Sequence, residues 1–332
     1  MFLIRKKAFA RAGLVGNPSD GYGGKTISIP VRRFFAEVTL YEWDDLEIVF
    51  CEHDRYRFRS LDEFVDDVRL HGYYGGVRLI RATIRRFVDY CRAQGHSLHD
   101  QNFSIRYTTN VPRLVGLAGS SAIITATLRA LAEFYRVEIP VEVLPSLSLS
   151  VETEELGIGA GLQDRVVQAY EQPVYMDFSP EREVELQGFK CGRYEPLPPE
   201  WFERVYVAYS VDASSPTEMV HNDLRHRFHQ GDPKVLAAIE RLAALTDEAR
   251  AALEASDADR LAAVLNENFD VRRTICPIPP SQFRMVEVAR SVGVSAKFAG
   301  SGGAIVGTYP NTLVYAELLE AMQSIGCKVV PV

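Results

Sequence analysis

The chain has 332 residues, of which 47% are hydrophobic and 24% are charged, and its formal net charge is -7. This composition is typical of a globular protein in solution, and the length favours two domains over one. The negative charge provides no field that attracts nucleic acid or an anionic membrane, and no apolar run reaches the ~18 residues of a membrane span. We therefore expect a small-molecule ligand and neither nucleic acid nor a membrane as partner, while the oligomeric state stays open.

The cysteines and the amino terminus predict a cytoplasmic protein. The five cysteines lie far apart, and no two of them form a Cys-x-x-Cys pair, which is typical of reduced thiols rather than of a disulfide framework or a zinc site. The first seven residues carry charge but are not followed by the apolar core and cleavage site of a signal peptide.

Strand and helix patterns alternate irregularly along the first half of the chain. Hydrophobic periodicity and turn residues predict strands over 4–15, 26–43, 102–109 and 173–178, and helices over 61–70, 77–91, 123–135, 145–156 and 162–170. A turn rich in glycine, proline and asparagine occupies residues 16–21 between the first strands.

Residues 179–200 are rich in proline and charge, which makes them the best candidate for a domain boundary. We predict one domain over residues 1–190 and a second over 191–332. The second half contains predicted strands at 205–211 and 328–332, helices over 217–228, 233–254, 257–274, 281–292 and 311–325, and a strand–turn–strand unit at 295–308. Because no regular strand–helix–strand alternation appears, the predicted class is α+β.

A small glycine and serine turn, GLAGSS at residues 116–121, runs directly into an apolar helix. This arrangement directs backbone N–H groups and the positive end of a helix dipole at one point, which suits a phosphate. The residues concerned are Gly116, Leu117, Ala118, Gly119, Ser120 and Ser121. The serine hydroxyls can cap the helix or reach a metal bound to phosphate, so an ordinary capped helix is the alternative.

Three other patterns resemble known sites but do not meet their requirements. Gly24-Lys25-Thr26 lacks the earlier glycine of a Walker A loop, because Ser19 stands at that position. The glycine turn at residues 300–303 is followed by a strand pattern, which excludes a dinucleotide fingerprint. The histidines at 221, 226 and 229 share a predicted polar helix with no cysteine, so solvated side chains are a better interpretation than a metal site.

Three separated motifs together resemble the GHMP kinase family. They are ARAGLVGNPSD at residues 10–20, the central turn at 116–121, and AKFAGSGGA at 296–304, and they stand in the family's order. The resemblance implies a domain like the second domain of ribosomal protein S5, followed by a ferredoxin-like domain. It also implies that ATP lies on the central turn and that Ser121 helps to hold Mg²⁺.

A fourth matching segment, ETEELGIGAGLQD at residues 152–164, resembles the family's acceptor turn. The resemblance places Asp164 next to the accepting hydroxyl, Glu152 on the magnesium ion, and Arg11 near the acceptor and the transferring phosphate. Glu154 and Glu155 are interpreted as solvated charges. From the residue alone, Asp164 is equally well explained as a helix cap, and its role as a base or as an orienting charge stays open.

Within the family, the resemblance extends over nearly the whole chain to the glucuronokinases of plants. It implies an ATP-dependent sugar 1-kinase that converts D-glucuronate to glucuronate 1-phosphate and ADP. The first turn lacks the Glu-His-x-Asp of galactokinases, which argues against plain galactose. The residues expected to bind the substrate are Asn17, Asp20, Gly24, Arg272, Gly300, Ser301, Gly302 and Gly303.

A uronic acid carries a carboxylate, which a forked arginine binds well. Arg272 is the favoured partner, with Arg273 and Arg225 as the other candidates, and each is otherwise explained as a surface arginine. A kinase for galacturonate or another sugar is the alternative within the family, and a non-catalytic protein that binds a sugar or nucleotide is the alternative from another class. The presence of Arg11, Ser121, Glu152 and Asp164 together favours the enzyme.

Overall fold

A computed structural model describes residues 3–49, 75–211 and 218–332 of the chain. The helix predicted over residues 61–70 lies outside these ranges. Within them, the strands form one six-stranded sheet, one four-stranded sheet and a separate two-stranded hairpin. Each described helix is too short or too polar to cross a membrane. The predicted α+β class is confirmed, because the strands form mainly antiparallel sheets with the helices packed beside them.

The larger sheet is built on a long antiparallel pair of strands. Its members are β1 (Leu3–Val15), β2 (Lys25–Glu42), β3 (Glu47–Ile48), β4 (Phe103–Thr109), β5 (Val174–Asp177) and β8 (Arg193–Pro196). Side chains at the start of β1 alternate between exposed and buried, whereas the last six residues, from Ala10 to Val15, are all buried. That continuous burial arises because this end of β1 is covered by both halves of the chain.

Helices cover one face of the larger sheet. They are α1 (Gly76–Ala93), α2 (Gly119–Tyr135), α3 (Leu144–Ser150) and α4 (Gln163–Tyr170). Helix α2 is apolar on most of its surface and packs against both β1 and β2, so it is buried as a central element. The segment predicted as one helix over 145–156 is α3 followed by a π-helical stretch at Val151–Glu155, which contains Glu152.

The four-stranded sheet lies in the second half of the chain. Its strands are β9 (Val205–Ser210), β10 (Lys297–Phe298), β11 (Ala304–Thr308) and β12 (Cys327–Pro331). The helices of this half are α5 (Glu218–His229), α6 (Pro233–Glu254), α7 (Ala258–Ile275), α8 (Pro280–Ser291) and α9 (Thr312–Gln323). One apolar core is shared between the halves, since it joins Ile29 of β2, Leu242 of α6 and Val207 of β9.

The predicted boundary region contains regular structure. Residues 179–200 include a hairpin of β6 (Val184–Leu186) and β7 (Phe189–Cys191), followed by β8, which pairs antiparallel with β5. The predicted boundary at residue 190 falls within β7, and the larger sheet takes its last strand from beyond it. The division of the chain into two domains stays a prediction.

Candidate active site

The end of β1 brings the central turn and the third glycine motif together. The backbone N–H of Arg11 donates to the carbonyl of Leu117 at 3.1 Å. Two residues later, the N–H of Gly13 donates to the carbonyl of Ala299 at 2.7 Å. The backbone N–H groups of Arg11 and Gly13 point to the same edge of β1, because the two residues are two positions apart in a strand. Segments nearly 300 residues apart in the sequence therefore meet at this edge. The three motifs identified in the sequence therefore form a single site.

The two glycine turns touch each other directly. A Cβ atom on Gly300 would overlap the carbonyl oxygen of Gly116, and one on Gly303 would lie 2.9 Å from the Cα of Val115. Gly303 also has a φ of 79°, which favours glycine. The remaining residues of the turn lie beside them, with Ser301 against Gly116. The absence of side chains is therefore what allows the turns to approach so closely.

Helix α2 begins at the central turn without a side-chain cap. Ala118 precedes the helix in the left-handed region, with a φ of 63°, and as the N-cap residue it makes no side-chain capping bond. Ser121 is buried and donates its hydroxyl to the carbonyl of Ala118 at 3.2 Å. Ser121 thus bonds to a carbonyl oxygen rather than to a first-turn N–H group, and the dipole of the helix favours an anion at this end.

Arg11 binds Asp164, as their shared assignment to one site requires. Its Nε donates to Oδ1 of Asp164 at 2.8 Å, and Nη2 contacts the same oxygen. Its Nη1 donates to the carbonyl of Ala299 at 2.6 Å. Asp164 lies in the first turn of α4 but caps no backbone N–H, so the helix-cap explanation for this residue does not hold. The buried guanidinium fixes the carboxylate relative to both glycine turns.

Arg165 is a residue of this cluster that the sequence analysis missed. It is buried, its Nη2 contacts Oε2 of Glu152, and its Nη1 lies 3.2 Å from Oδ2 of Asp164. Nη1 also donates to the carbonyl of Gly161 at 2.7 Å. Burial alone would lower the pKa of Arg165, but Glu152 and Asp164 outweigh it and raise that pKa. The sequence feature that could have identified Arg165 as part of the site is its position directly after Asp164.

The oxygen donors at Ser121 and Glu152 fit magnesium chemically. The hydroxyl of Ser121 uses its hydrogen on Ala118, so its lone pairs are available to a cation. Glu152 offers a carboxylate of which one oxygen contacts Arg165. Within the described ranges, no three His, Cys, Asp or Glu side chains gather as a metal site. Glu154 is exposed and pairs with Arg86, in line with its interpretation as a solvated charge.

The turn after β1 is held by the second half of the chain. Asn17 is buried, and its side-chain oxygen accepts a hydrogen bond from Lys297. Asn268 accepts from the N–H of Gly16 at 2.6 Å and donates to the carbonyl of Asn17 at 3.2 Å. Gly24 closes the turn against Ser19, where a Cβ would have no room. The amide oxygen of Asn17 is therefore already bonded within the protein.

Asp20 is a second carboxylate beside Asp164. Burial, and then the charge of Asp164, raise the pKa of Asp20 to about 6, against the opposing effect of Arg11 and Arg272. A Cβ on Gly161 would lie 3.5 Å from Oδ2 of Asp20, so the carboxylate faces the loop that leads to Asp164.

Of the three candidate arginines, Arg272 is the one buried at the site. Its Nη1 donates to the carbonyl of Gly300 at 2.8 Å, its guanidinium stacks 5.2 Å from the ring centre of Phe298, and its Nε has no hydrogen-bond partner. Burial lowers the pKa of Arg272. Arg225 and Arg273 are both exposed. Behind the same turn, Gly302 packs against a glutamine of α8.

Comparison with known proteins gives a consistent result. Residues 78–172 match the family described as GHMP kinases N terminal domain. The chain is 41% identical over 324 residues to glucuronokinase 1 of Arabidopsis thaliana, covering 96% of this chain and 88% of that protein. It is 42% identical over 326 residues to probable glucuronokinase 2 of the same plant, covering 96% and 87%.

Solved structures share the fold at much lower identity. Phosphomevalonate kinase of Streptococcus pneumoniae matches with a TM-score of 0.78 at 15% identity, covering 99% of this chain and 98% of that one. Galactokinase of Lactococcus lactis, solved in complex with galactose, matches with a TM-score of 0.77 at 13% identity, covering 99% and 92%. The GHMP kinase fold implied by the sequence motifs is therefore confirmed. The chain belongs to the GHMP kinase family and is a kinase.

Proposed function

We propose that this sugar kinase transfers the γ-phosphate of ATP to the anomeric hydroxyl of D-glucuronate, giving glucuronate 1-phosphate and ADP. The proposal is supported by 41–42% identity to two plant glucuronokinases over nearly the whole chain. The observation that carries it is the contact of Arg11 with Asp164 and with the carbonyl of Ala299. This contact joins an acceptor-side carboxylate to a glycine turn that approaches the start of α2.

ATP is the phosphoryl donor that the family implies. We propose that its phosphates bind the turn formed by Gly116, Leu117, Ala118, Gly119, Ser120 and Ser121. The support is the position of this turn at the start of a 17-residue helix, whose dipole favours an anion. Ser121 and Glu152 would hold Mg²⁺, which supplies charge neutralisation on the phosphate oxygens when bound.

The acceptor side of the reaction is assigned to Asp164 and Arg11. Phosphoryl transfer depends mainly on positioning and on stabilising negative charge. Asp164 would orient the anomeric hydroxyl and accept its hydrogen bond, while Arg11 would stabilise charge that develops on the transferred group. Arg165, which contacts the other oxygen of Asp164, holds the carboxylate in place from the opposite side.

The uronate carboxylate is assigned to Arg272. Its buried guanidinium has an unpaired Nε and lies against Gly300, beside Ser301, Gly302 and Gly303 of the third motif. Asp20, with the turn that contains Asn17 and Gly24, would bind the sugar hydroxyls. The alternative is a kinase for galacturonate or another sugar. It would use the same cluster, with a different contact between Arg272 and the sugar. A cytoplasmic location is part of the proposal, supported by four buried, free cysteines within the described ranges.

The test is ATP consumption by the purified protein across a panel of neutral sugars and uronic acids, with the product identified by NMR. We expect ADP release with D-glucuronate and a phosphorus coupling on the anomeric carbon of the product. If ATP is consumed with galacturonate and with no other compound of the panel, galacturonate is the substrate. Binding of sugar or nucleotide with no turnover on the whole panel would instead support the non-catalytic alternative.

A further inference from the structure

Lys297 is a buried lysine at the junction of the two halves of the chain, and the proposed reaction gives it no role. Its side chain is fully buried at the start of β10. Its Nζ donates three hydrogen bonds, to the carbonyl of Gly13 at 2.6 Å, to the carbonyl of Phe298 at 2.9 Å, and to Oδ1 of Asn17. All three acceptors are uncharged, so the ammonium group has no direct carboxylate partner among these contacts.

Such a lysine is costly to the fold. Lysine is rarely fully buried without a charged partner, because removing an ammonium group from water is strongly unfavourable. Burial, followed by the nearby charges of Arg272 and Arg11, lowers the pKa of Lys297, while Asp20 opposes that shift. The three hydrogen bonds use all three donors of the ammonium group. A methionine would fill a similar volume without this cost, which points to a task for the three hydrogen bonds.

The contacts of Lys297 identify that task. Asn17 is the second residue of the turn that also contains Asp20, and Lys297 and Asn268 bond to this turn from the second half of the chain. Asn268 bonds to the backbone, whereas Lys297 bonds to the Asn17 side chain. The side-chain oxygen of Asn17 is thereby directed into the protein, whereas the Asp20 carboxylate faces Gly161 in the loop that leads to Asp164.

We infer that Lys297 is a positioning residue for the sugar site, and that Asn17 acts through Lys297 rather than through a contact with the sugar. Lys297 fixes the turn at residues 16–24 so that Asp20 meets the sugar hydroxyls. This inference rests on the proposed sugar kinase function. It also assigns to the second half of the chain a part in binding a substrate that the first half contacts.

The first experiment replaces Lys297 by methionine and measures KM and kcat for both substrates. Hydrogen bonds from a buried charged group contribute a factor of about 10–100 to an equilibrium constant. KM for glucuronate should therefore rise by about that factor in Lys297→Met. KM for ATP should change less than about threefold, because the turn does not include the central glycine motif. Lys328→Met is the control, since Lys328 is an exposed lysine in the same sheet. Equal increases in both KM values would mean a general structural defect and would overturn the inference.

A double-mutant cycle separates the two roles of Asn17. If Asn17 acts through Lys297, Asn17→Ala combined with Lys297→Met should raise KM for glucuronate no more than Lys297→Met alone. If the two effects multiply, Asn17 contacts the sugar independently and the inference is wrong.

Hydrogen exchange provides a readout that needs neither substrate nor turnover. In Asn17→Ala, amides of residues 16–24 should exchange faster than in the unmodified protein, because the side-chain bond to Lys297 is lost. Unchanged exchange in that variant would contradict the inference, even when Lys297→Met does not fold. A protein with no kinase activity on any sugar, but with faster exchange in Asn17→Ala, would refute the proposed function and leave the role of Lys297 in holding the turn.

Discussion

Asp164 is contacted by two arginines, one on each carboxylate oxygen. Arg11 bonds to Oδ1 and Arg165 lies 3.2 Å from Oδ2. This arrangement restricts the carboxylate to one orientation, and in phosphoryl transfer the orientation of the acceptor accounts for much of the rate. The geometry therefore gives Asp164 a fixed position from which to orient a hydroxyl.

Replacing Asp164 by asparagine tests this role. Asn keeps an oxygen that can accept from Arg11, so the variant should fold, as judged by its circular dichroism spectrum and Tm. Its kcat should fall at least ~100-fold, the scale of lost acid–base assistance. Near-normal turnover in a folded Asp164→Asn protein would remove Asp164 from the mechanism.

The metal assignment is tested by the magnesium concentration that half-saturates activity. Ser121→Ala and Glu152→Ala should each raise that concentration more than they raise KM for the sugar, because each removes an oxygen ligand. Glu154→Ala is the matched control, since Glu154 is exposed and pairs with Arg86. A stronger effect in the control than in Glu152→Ala, or a Mg-ATP complex with the ion on Glu154 or Glu155, would refute the choice of residues.

Asp20 predicts a specific dependence of stability on pH. Its pKa is raised from 3.8 to about 6, mainly by burial, so the folded protein binds this proton more tightly than the unfolded chain. The ionised carboxyl therefore destabilises the fold above about pH 6, and this cost disappears as the pH falls towards 3.8.

Asp20→Asn removes that cost. Its free energy of unfolding should exceed that of the unmodified protein at about pH 8, and the difference should shrink as the pH approaches about 4. Denaturant titrations at several pH values measure this difference in the free energy of unfolding. Asp44→Asn is the control, because Asp44 is exposed. A difference that does not change with pH would show that the pKa of Asp20 is the same in the folded and the unfolded protein, which would contradict the prediction.

Sequence patterns revealed some residues of the site and not others. Arg11, Asp164 and Ser121 stand at motif positions, and their surroundings make them detectable. Lys297 lies inside the third motif and Arg165 directly follows the acceptor turn, yet a single arginine or lysine in a sequence is more often a surface residue. Lys297 bonds to Gly13 and Asn17 at the other end of the chain, and local periodicity does not encode a contact between such distant segments.

At the scale of elements, the two glycine turns act as a pair. Each turn alone resembles a common loop, and the need for glycine lies in the contact of Gly300 with Gly116, which joins the two turns. The longer strands β1, β2 and β4 and most helices followed from hydrophobic periodicity, whereas β3 and the strands β6 to β8 were not predicted. The π-helical stretch at Val151–Glu155 was not predicted, since it depends on how α3 packs rather than on its sequence pattern.

Gly300→Ala tests the contact between the turns. The added methyl group would overlap the carbonyl of Gly116 and lie 3.1 Å from Nη1 of Arg11, so the turns must separate. Overpacking of this kind costs about 1–3 kcal/mol, and displacement of a reacting group can cost ~100-fold in rate. We expect a lower free energy of unfolding and a kcat/KM for ATP reduced at least ~10-fold.

The control for that variant is Gly159→Ala, because a Cβ atom at Gly159 meets no atom within 4 Å. Its free energy of unfolding should stay within about 1 kcal/mol of the unmodified protein. A Gly300→Ala protein that is as stable and as active as this control would show that the turns do not need their close contact.

At the scale of the whole molecule, the site lies where the two halves of the chain share a core. The apolar cluster that joins β2, α6 and β9 holds the halves together beneath it. Side-chain bonds reinforce the junction, such as the Tyr175 hydroxyl donating to Asp247 at 2.7 Å. A rigid junction of this kind keeps Asp164 from the first half and Arg272 from the second half at a fixed separation.

That separation is the basis of the predicted specificity, and competition between D-glucuronate and D-glucose for the unmodified enzyme tests it most directly. A buried arginine left without its carboxylate is unfavourable, so kcat/KM for glucuronate should exceed that for glucose by at least ~100-fold. Arg272→Ala should reduce the ratio of the two kcat/KM values, because it should lower kcat/KM for glucuronate more than kcat/KM for glucose. Equal kcat/KM values for the two sugars in the unmodified enzyme would contradict the assignment of glucuronate as the substrate.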